Sequence, residues 1–313
     1  MNSPISPLEE PISPLEGSVL LIDNSALEFM QTCPRSAQYS IVRRLRPNVD
    51  KAALHFGGII HKVLETRYRL GNLPGYPQDS LCQMKMLETA EKEFSQWSPP
   101  EEDFRNLSCA TSVILEYGKT YPEEDFQIAT FADGTPCIEV PFALPLGKVG
   151  ETTIVWQGRI DLVYTMPFGP GLYVMDHKTA SVATNMDEFV ISHQFYGYAW
   201  AVEQLLGRSV LGTVINRIVV RRPTRTGTAV TLERRFNQSS HFLIDEWKND
   251  ILHICADLLE NARRDYFPKH TAWCAGKFGT CPFLKVCSLD SMDQRELVLN
   301  SGEFVTNDWS PLK

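Results

Sequence analysis

The chain has 313 residues, a formal net charge of −8 and 43% hydrophobic residues, a composition typical of a globular protein. The negative charge argues against a protein that coats nucleic acid through bulk charge, although a local basic groove or a bound cation can still attract phosphate. Because the sequence lacks both an apolar run of about 18 residues and a signal-like N-terminus, we expect a soluble, cytoplasmic protein without a membrane partner.

The N-terminal region contains the same proline-rich hexapeptide twice, at positions 4–9 and 11–16. Segments of this composition have little apolar surface to bury and usually remain extended. Two copies are too few to form a repeat architecture. We therefore expect a flexible tail, or an arm that docks on a protein partner.

The first predicted helix begins at a capping box formed by Ser25 and Glu28. The dipeptide Cys33-Pro34 interrupts this helix, and Pro34 can open a second helix over residues 35–44. Cys33 therefore lies at a helix junction, where a defined backbone could hold a ligand.

A longer helix is predicted over residues 52–70, where His61 lies one turn from Glu65 and apolar residues recur at helical spacing. A lone histidine is more often a core or surface imidazole than a metal ligand. A metal role for His61 therefore needs support from elsewhere in the chain. Two further helices, over residues 80–97 and 101–121, carry no recognisable chemistry.

Residues 137–146 predict a strand with Glu139 near its start, where an acid is commonly solvated. Residues 156–181 then predict a β-hairpin, because two runs of strand-like residues flank a turn rich in proline and glycine.

This hairpin carries Asp161 in its first strand and Asp176-His177-Lys178 in its second. An ionised carboxylate in an apolar strand is costly unless a cation neutralises it, and two carboxylates can hold a hard divalent ion. Lys178 shares a strand face with Asp176, so it can orient or deprotonate a water molecule or balance charge on a phosphate. The alternative is a surface hairpin with solvated charges.

Residues 187–206 predict a helix on which Gln194 and Tyr198 share a face. Two strands, over residues 210–220 and 229–236, are joined by an arginine-rich tip. A charge run is usually only a solvated face. In an acidic chain, however, concentrated arginines favour contact with phosphate, and the candidates are Arg217, Arg221, Arg222 and Arg225.

An amphipathic helix over residues 239–266 leads to a loop that contains Cys274, Cys281 and Cys287, three of the eight cysteines. Such a cluster in a loop punctuated by glycine and proline predicts a metal site. Cys33 is the best candidate for a fourth ligand. Four thiolates suit either tetrahedral zinc or an iron–sulfur cluster.

The spacing of Asp161, Asp176 and Lys178 within a hairpin resembles the PD-(D/E)XK nuclease superfamily. Gly158–Val163 and Asp176–Thr179 resemble its RecB-like branch in particular. The run Gly57–Glu65 resembles the helix of that branch whose histidine binds metal, and Gln194-x-x-x-Tyr198 resembles its last motif.

The cysteines resemble those of the AddB nuclease domain and of CRISPR-associated RecB-like exonucleases, in which one early and three late cysteines bind a 4Fe–4S cluster. The spacing from Cys281 to Cys287 matches those families. Six residues separate Cys274 from Cys281, where those families usually have two, and this departure leaves Zn²⁺ open as the alternative. The resemblance favours iron–sulfur and a mainly structural role for the group.

The resemblance covers residues 23–288 and implies an α/β fold with a restriction-endonuclease-like core, in which a central mixed β-sheet is flanked by helices. Helical additions at about 71–125 and a cysteine-ligated cluster would complete this domain. We expect residues 1–22 and 289–313 to be tails.

The implied activity is that of a Mg²⁺- or Mn²⁺-dependent deoxyribonuclease, an exonuclease that degrades single-stranded DNA ends in the 5′→3′ direction during recombination, repair or end processing. The implied site residues fall into four groups. These are the metal ligands His61, Asp161, Asp176 and the backbone carbonyl of His177, with Glu139 as an additional acid; the catalytic residues Asp161, Asp176, Lys178, Gln194 and Tyr198; the cluster ligands Cys33, Cys274, Cys281 and Cys287; and the DNA-binding arginines Arg217, Arg221, Arg222 and Arg225.

Two alternatives remain at this point. The protein could be a non-catalytic DNA-end-binding or assembly module of a helicase, integrase or recombinase complex, or it could be a structure-specific endonuclease. The complete Asp…Asp-x-Lys set favours activity. The proline repeat and the acidic charge are compatible with a protein partner in a recombination or repair complex in either case.

Overall fold

The computed structural model describes residues 19–49, 51–71, 80–167, 169, 171–183, 186–225, 228–276 and 279–312. The proline-rich repeat at positions 4–16 lies outside the described residues. Within the described part of the chain, no helix is both long and apolar enough to cross a membrane.

The described chain contains both helices and strands. The α-helices are α1 (Asn24–Thr32), α2 (Pro34–Ala37), α3 (Ala52–Gly71), α4 (Ser80–Gln96), α5 (Leu107–Thr120), α6 (His193–Leu206), α7 (His241–Arg263), α8 (Leu284–Cys287) and α9 (Met292–Leu299). The strands are β1 (Val19–Ile22), β2 (Leu45–Pro47), β3 (Gln127–Ile128), β4 (Ile138–Val149), β5 (Thr152–Thr165), β6 (Leu172–Ala180), β7 (Val210–Val220), β8 (Val230–Gln238), β9 (Ala275–Gly276), β10 (Gly279–Thr280) and β11 (Phe304–Thr306).

The chain divides into two compact units. The terminal unit comprises Met1–Asp50, Pro141–Gly158 and Asp245–Lys313, and the hairpin unit comprises Lys51–Val140 and Arg159–Ile244. Three elements, β4, β5 and α7, contribute residues to both units.

The hairpin unit contains a mixed sheet in which β6 is central. β5 and β6 pair antiparallel, as the sequence predicts for a hairpin. β6 and β7 pair parallel, with α6 in the connection between them, and β7 and β8 pair antiparallel. This arrangement is an α/β fold with a mixed sheet flanked by helices, and it is consistent with a restriction-endonuclease-like core.

The core of the hairpin unit lies where α3, α4 and α5 meet the sheet. Apolar residues of α3 recur every three or four positions, so one face of the helix is buried. Phe56, Ile60 and Leu64 lie on this face and belong to one cluster with Leu162 and Met175 of the sheet. This packing fixes the position of α3 on the sheet, and therefore the position of His61.

The terminal unit brings together the two ends of the described chain. β1 pairs parallel with the first half of β5, and β2 pairs antiparallel with β11. Tyr39 and Phe283 pack in one apolar cluster with Leu299 and Phe304. Arg43 makes two hydrogen bonds of 2.6 and 2.7 Å to the carboxylate of Glu296.

Residues 289–313 therefore differ from the expected tail, because they include α9 and β11. Leu299 and Phe304 are 2% and 8% exposed. The sequence of this segment is short and weakly periodic, and its apolar residues acquire a partner only through Tyr39 and Phe283 of distant segments.

Three predicted helix starts are also wrong. Asp23, not Ser25, caps α1, with its carboxylate 2.8 Å from the amide of Ala26. The helix expected from residue 101 begins at Leu107, because the Asn106 side chain accepts a hydrogen bond from Cys109 N. The helix expected from residue 187 begins at His193, after a 3₁₀ turn at Met186–Phe189 and an extended Ser192.

The second predicted helix, over residues 35–44, is only partly α-helical. α2 ends at Ala37 and a π-helical turn follows over Gln38–Val42, in which Arg43 N donates to the carbonyl of Gln38 at 2.9 Å. Such turns are rare and cannot be read from residue type.

Leu299→Ala should lower the free energy of unfolding by about 2–5 kcal/mol, the usual cost of truncating a buried leucine. Leu297→Ala is the matched control, because Leu297 is 73% exposed on the same helix and should change stability by no more than about 0.5 kcal/mol. Denaturant unfolding measures both. Equal, small effects would mean that α9 is not part of the folded unit.

Candidate active site at the end of the β5–β6 ladder

The two aspartates of the hairpin lie where the pairing of β5 with β6 ends. The last pair of the ladder is Leu162 with Met175, and Asp161 and Asp176 are the next residues on the two strands. The Asp161 carboxylate accepts a hydrogen bond of 2.6 Å from the backbone N–H of His177, in place of a strand carbonyl. The strands therefore separate at a point where both acids are held, buried, beside the opening.

A third acid and an imidazole join Asp161. His61 Nδ1 lies 3.4 Å from Asp161 Oδ1 and 3.9 Å from Glu139 Oε1. One ligand atom from each of these three residues lies within 4.8 Å of the other two. Among the described residues, this is the one group of three or more histidine, cysteine or acidic side chains that is compact enough to hold a metal ion.

Glu139 has a strained backbone. Its φ angle is +49°, in the left-handed region that residues other than glycine, asparagine and aspartate rarely occupy. Strain of this kind costs about 1–3 kcal/mol and is concentrated at functional sites. The sequence suggested Glu139 only as an additional acid near a strand end, and nothing in the residue pattern reveals the unusual backbone that aims it at His61.

Asp176 is bound from two sides. The ammonium Nζ of Lys178 lies 2.8 Å from Asp176 Oδ2, in an ion pair. Gln194 Nε2 donates to Asp176 Oδ1 at 3.2 Å and lies 2.9 Å from the hydroxyl of Tyr198. The Gln-x-x-x-Tyr face of α6 therefore reaches the same acid as the lysine.

The charges of the site depend strongly on one another. Burial opposes the charged forms of Asp161 and His61, but each stabilises the charge of the other. As a result the pKa of Asp161 is lowered and that of His61 is raised well above its usual value. Burial also raises the pKa of Glu139, and it raises that of Asp176 to about 6. The positive charges of His61 and Lys178 therefore compensate only partly for the burial of the three carboxylates.

Comparison with known proteins identifies the family of the chain. The sequence profile of the PD-(D/E)XK nuclease superfamily matches residues 24–288. The chain belongs to the PD-(D/E)XK nuclease superfamily. No curated protein sequence matches the chain. Among solved structures, the crystal structure of a "putative exonuclease" from Eubacterium rectale is similar, with 11% sequence identity, a TM-score of 0.48, and coverage of 90% of this chain and 93% of that chain.

The structure brings together His61, Glu139, Asp161, Asp176, Lys178, Gln194 and Tyr198. Their side chains all belong to the hairpin unit.

The arginines predicted to bind DNA do not form one set. Arg217 lies within β7, is 7% exposed, and pairs with Glu233. This burial argues against the predicted contact of Arg217 with phosphate, and it arises because Arg217 and Glu233 are cross-strand partners in the ladder. Arg221, Arg222 and Arg225 are exposed. The Arg222 guanidinium lies over the ring of Phe104, 5.4 Å from its centroid.

The four candidate cluster cysteines all belong to the terminal unit. Cys33 Sγ accepts from the amide of His270 at 3.4 Å, and Cys281 N donates to the carbonyl of Cys274 at 2.9 Å. Burial and the neighbouring thiols of Cys274 and Cys33 raise the pKa of Cys281, and burial, Cys281 and Cys33 raise that of Cys287 against the opposing charge of Arg35. The four thiols therefore share one environment.

Asp176→Asn should stabilise the metal-free protein at alkaline pH. The pKa of Asp176 is raised from 3.8 to about 6 by burial, so the folded state binds the proton more tightly than the unfolded state. Burying the carboxylate therefore lowers stability above pH 6, and this cost vanishes below the unfolded pKa. The raised pKa corresponds to a loss of about 3 kcal/mol in the free energy of unfolding at pH 8 and to no loss near pH 3.

Thermal unfolding in chelator at a series of pH values measures the effect. Asp133→Asn is the control, because hydrogen bonds from the Thr135 backbone and side chain lower the pKa of the exposed Asp133. That variant should gain no stability at pH 8. An Asp176→Asn protein that is less stable than wild type at pH 8 would contradict the proposed crowding of charge.

Proposed function

We propose that this nuclease is a Mg²⁺- or Mn²⁺-dependent deoxyribonuclease that degrades single-stranded DNA from an end, in the 5′→3′ direction, during recombination, repair or end processing. The observation that carries the proposal is the compact group of His61, Glu139 and Asp161 at the end of the β5–β6 ladder, where the adjacent Asp176 pairs with Lys178. The strand preference, the direction and the process rest on the RecB-like resemblance of the sequence motifs.

The donor set suits a hard divalent cation. Carboxylate oxygens with one imidazole are ligands typical of such ions. Asp176 Oδ2 is buried, and the Lys178 ammonium lies 2.8 Å from it. His61, Asp161 and Asp176 would hold the ion together with Glu139. When bound, such an ion lowers the pKa of a water molecule and stabilises charge on a phosphate.

The chain's own residues have separate tasks around this centre. Lys178 is 31% exposed, so its ammonium can donate a hydrogen bond to a water molecule or to the phosphate that reacts. Gln194 holds Asp176 by a hydrogen bond and is itself in contact with Tyr198. These contacts fix the carboxylate and keep it beside the lysine, and they leave the Lys178 side chain accessible to substrate.

The exposed arginines at the β7–β8 tip extend this surface toward DNA. Arg221, Arg222 and Arg225 offer guanidinium groups that can bind phosphate through paired hydrogen bonds. Arg217 has no such role in the proposal, because its guanidinium is buried against Glu233.

The cysteine site is proposed to hold a 4Fe–4S cluster that stabilises the terminal unit. The four thiols of Cys33, Cys274, Cys281 and Cys287 share one environment in the terminal unit, and four thiolates suit either tetrahedral zinc or an iron–sulfur cluster. The preference for iron–sulfur rests on the RecB-like resemblance of the cysteine pattern.

Asp161→Asn and Lys178→Ala should each lower the rate of single-strand cleavage in Mn²⁺ by about 10²–10⁴-fold, the usual effect of removing a charge-stabilising or proton-handling group. Asp133→Asn, at an exposed turn, should cleave like wild type. Strands labelled at the 5′ end should release short labelled products first, and circular single strands should resist.

If Asp161→Asn releases the strand label as fast as wild type does, the cleavage reaction takes place at another site. Binding to labelled ends with no cleavage by the wild type in Mn²⁺ would instead favour the non-catalytic assembly module. Cutting of circular or branched DNA would favour an endonuclease.

Cys281→Ala should lose bound iron and sulfide and should unfold at a lower temperature than wild type. Cys255→Ala is the control, because Cys255 is another cysteine of the terminal unit but is buried within α7, away from the cysteine loop in sequence. It should keep its iron. Anaerobic purification followed by iron, sulfide and zinc analysis decides the matter. Zinc alone in the wild type, or equal metal in both variants, contradicts the cluster.

A further inference from the structure

The histidine between the catalytic acid and lysine faces away from both. Successive residues of a strand point to opposite faces, so the His177 side chain lies on the α3 side of β6, where it is 2% exposed. Its ring stacks on Tyr68, with centroids 5.7 Å apart and planes 4° from parallel. It also meets the edge of His61, at 5.8 Å and 76°. The His177 imidazole therefore contacts both His61 and Tyr68, two residues of α3.

Asn216 of β7 fixes the orientation of this ring. Its amide Nδ2 lies 2.8 Å from His177 Nδ1 and 2.9 Å from the hydroxyl of Tyr117. Arg234 Nε approaches the amide oxygen at 3.4 Å, which sets the amide with its nitrogen toward His177. Since an amide nitrogen can only donate, His177 Nδ1 accepts, and the ring is a neutral imidazole with its proton on Nε2.

A partly buried ion pair supports the asparagine. Arg234 donates to both oxygens of Glu124, at 2.6 and 2.7 Å. The same guanidinium donates to the hydroxyls of Tyr68 at 3.2 Å and Tyr117 at 3.0 Å, and these hydroxyls are 2.8 Å apart. The network is thus charge-balanced and hydrogen-bonded throughout, a condition under which buried polar groups orient their neighbours strongly.

His177 contacts two members of the group that could hold a metal ion, Asp161 and His61. Its backbone N–H donates to Asp161 Oδ2 at 2.6 Å, and its ring packs against His61. A continuous series of contacts therefore runs from the Glu124–Arg234 pair through Asn216 and His177 to both proposed ligands.

We propose that Asn216 and His177 are positioning residues that set the spacing of His61 and Asp161 for divalent-metal binding. The inference rests on the proposed metal-dependent function of the same site. It gives the His177 side chain a role distinct from that of its backbone carbonyl. Groups that orient metal ligands from behind typically contribute about 10–100-fold to metal affinity, and this is the effect assigned to Asn216.

Asn216→Ala should weaken the binding of Mn²⁺ by about 10–100-fold, as measured by calorimetric titration of protein dialysed against divalent-free buffer. Mn²⁺ suits this test because carboxylates and imidazoles bind it better than thiolates do. The Mn²⁺ concentration for half-maximal cleavage should rise by the same factor, and excess Mn²⁺ should restore the maximal rate. A general loss of folded protein would not be rescued in this way.

Asn216→Asp is the second variant, because it keeps the side-chain shape and an oxygen for Arg234 but replaces the donor that faces His177. It should weaken Mn²⁺ binding by a similar factor even if Asn216→Ala folds poorly. Asn237→Ala is the control. Asn237 is also a buried asparagine, 8% exposed, whose amide donates to the carbonyl of Phe189 at 3.2 Å, and its loss should leave Mn²⁺ affinity unchanged.

The Asp161→Asn variant distinguishes failure of the metal site itself from failure of the positioning role of Asn216. If it abolishes Mn²⁺ binding while both Asn216 variants bind like wild type, the positioning role is overturned and the metal site stands. If Asp161→Asn binds Mn²⁺ like wild type, the metal site itself is overturned. An equal loss of affinity in Asn237→Ala would also overturn the specific role of Asn216.

Discussion

The site depends on the concentration of negative charge where β5 and β6 separate. Asp161 and Asp176 are 6% and 2% exposed, and Glu139 forms a compact group with Asp161 and His61. Buried carboxylates are tolerated only when cations or hydrogen bonds compensate for lost solvation. Here His61, Lys178 and the amide of His177 compensate in part. The arrangement is unfavourable for the metal-free protein, and it is favourable for a protein that binds a divalent cation.

The rest of the hairpin unit holds this unfavourable arrangement in place. α3 is fixed on the sheet by its apolar face, α6 holds Asp176 through Gln194, and β7 with β8 supplies the polar contacts behind His177. The left-handed backbone at Glu139 is a second local cost that the surrounding strands must offset. We infer that stability is given up locally in exchange for a preorganised set of candidate metal ligands, a trade-off known from catalytic sites.

Much of the site could be predicted from sequence because its main motifs are local. The hairpin, the Asp-x-Lys tripeptide and the Gln-x-x-x-Tyr face each lie within one or two adjacent elements, whose periodicity is readable. The parts that were missed depend on contacts between distant segments. Arg217 is buried by its cross-strand partner Glu233, and His177 is oriented by Asn216. Residues 289–312 fold because their apolar side chains pack against distant segments. The start of α1 was misassigned because Asp23 caps the helix in competition with Ser25.

The most direct test of the central claim is an anomalous-difference map from crystals of this protein soaked in Mn²⁺. We expect one strong peak within coordination distance, about 2.2 Å, of carboxylate oxygens of both Asp161 and Asp176, with His61 or Glu139 as a further ligand. A peak that avoids either aspartate, or no peak at the end of the β5–β6 ladder at saturating Mn²⁺, would contradict it.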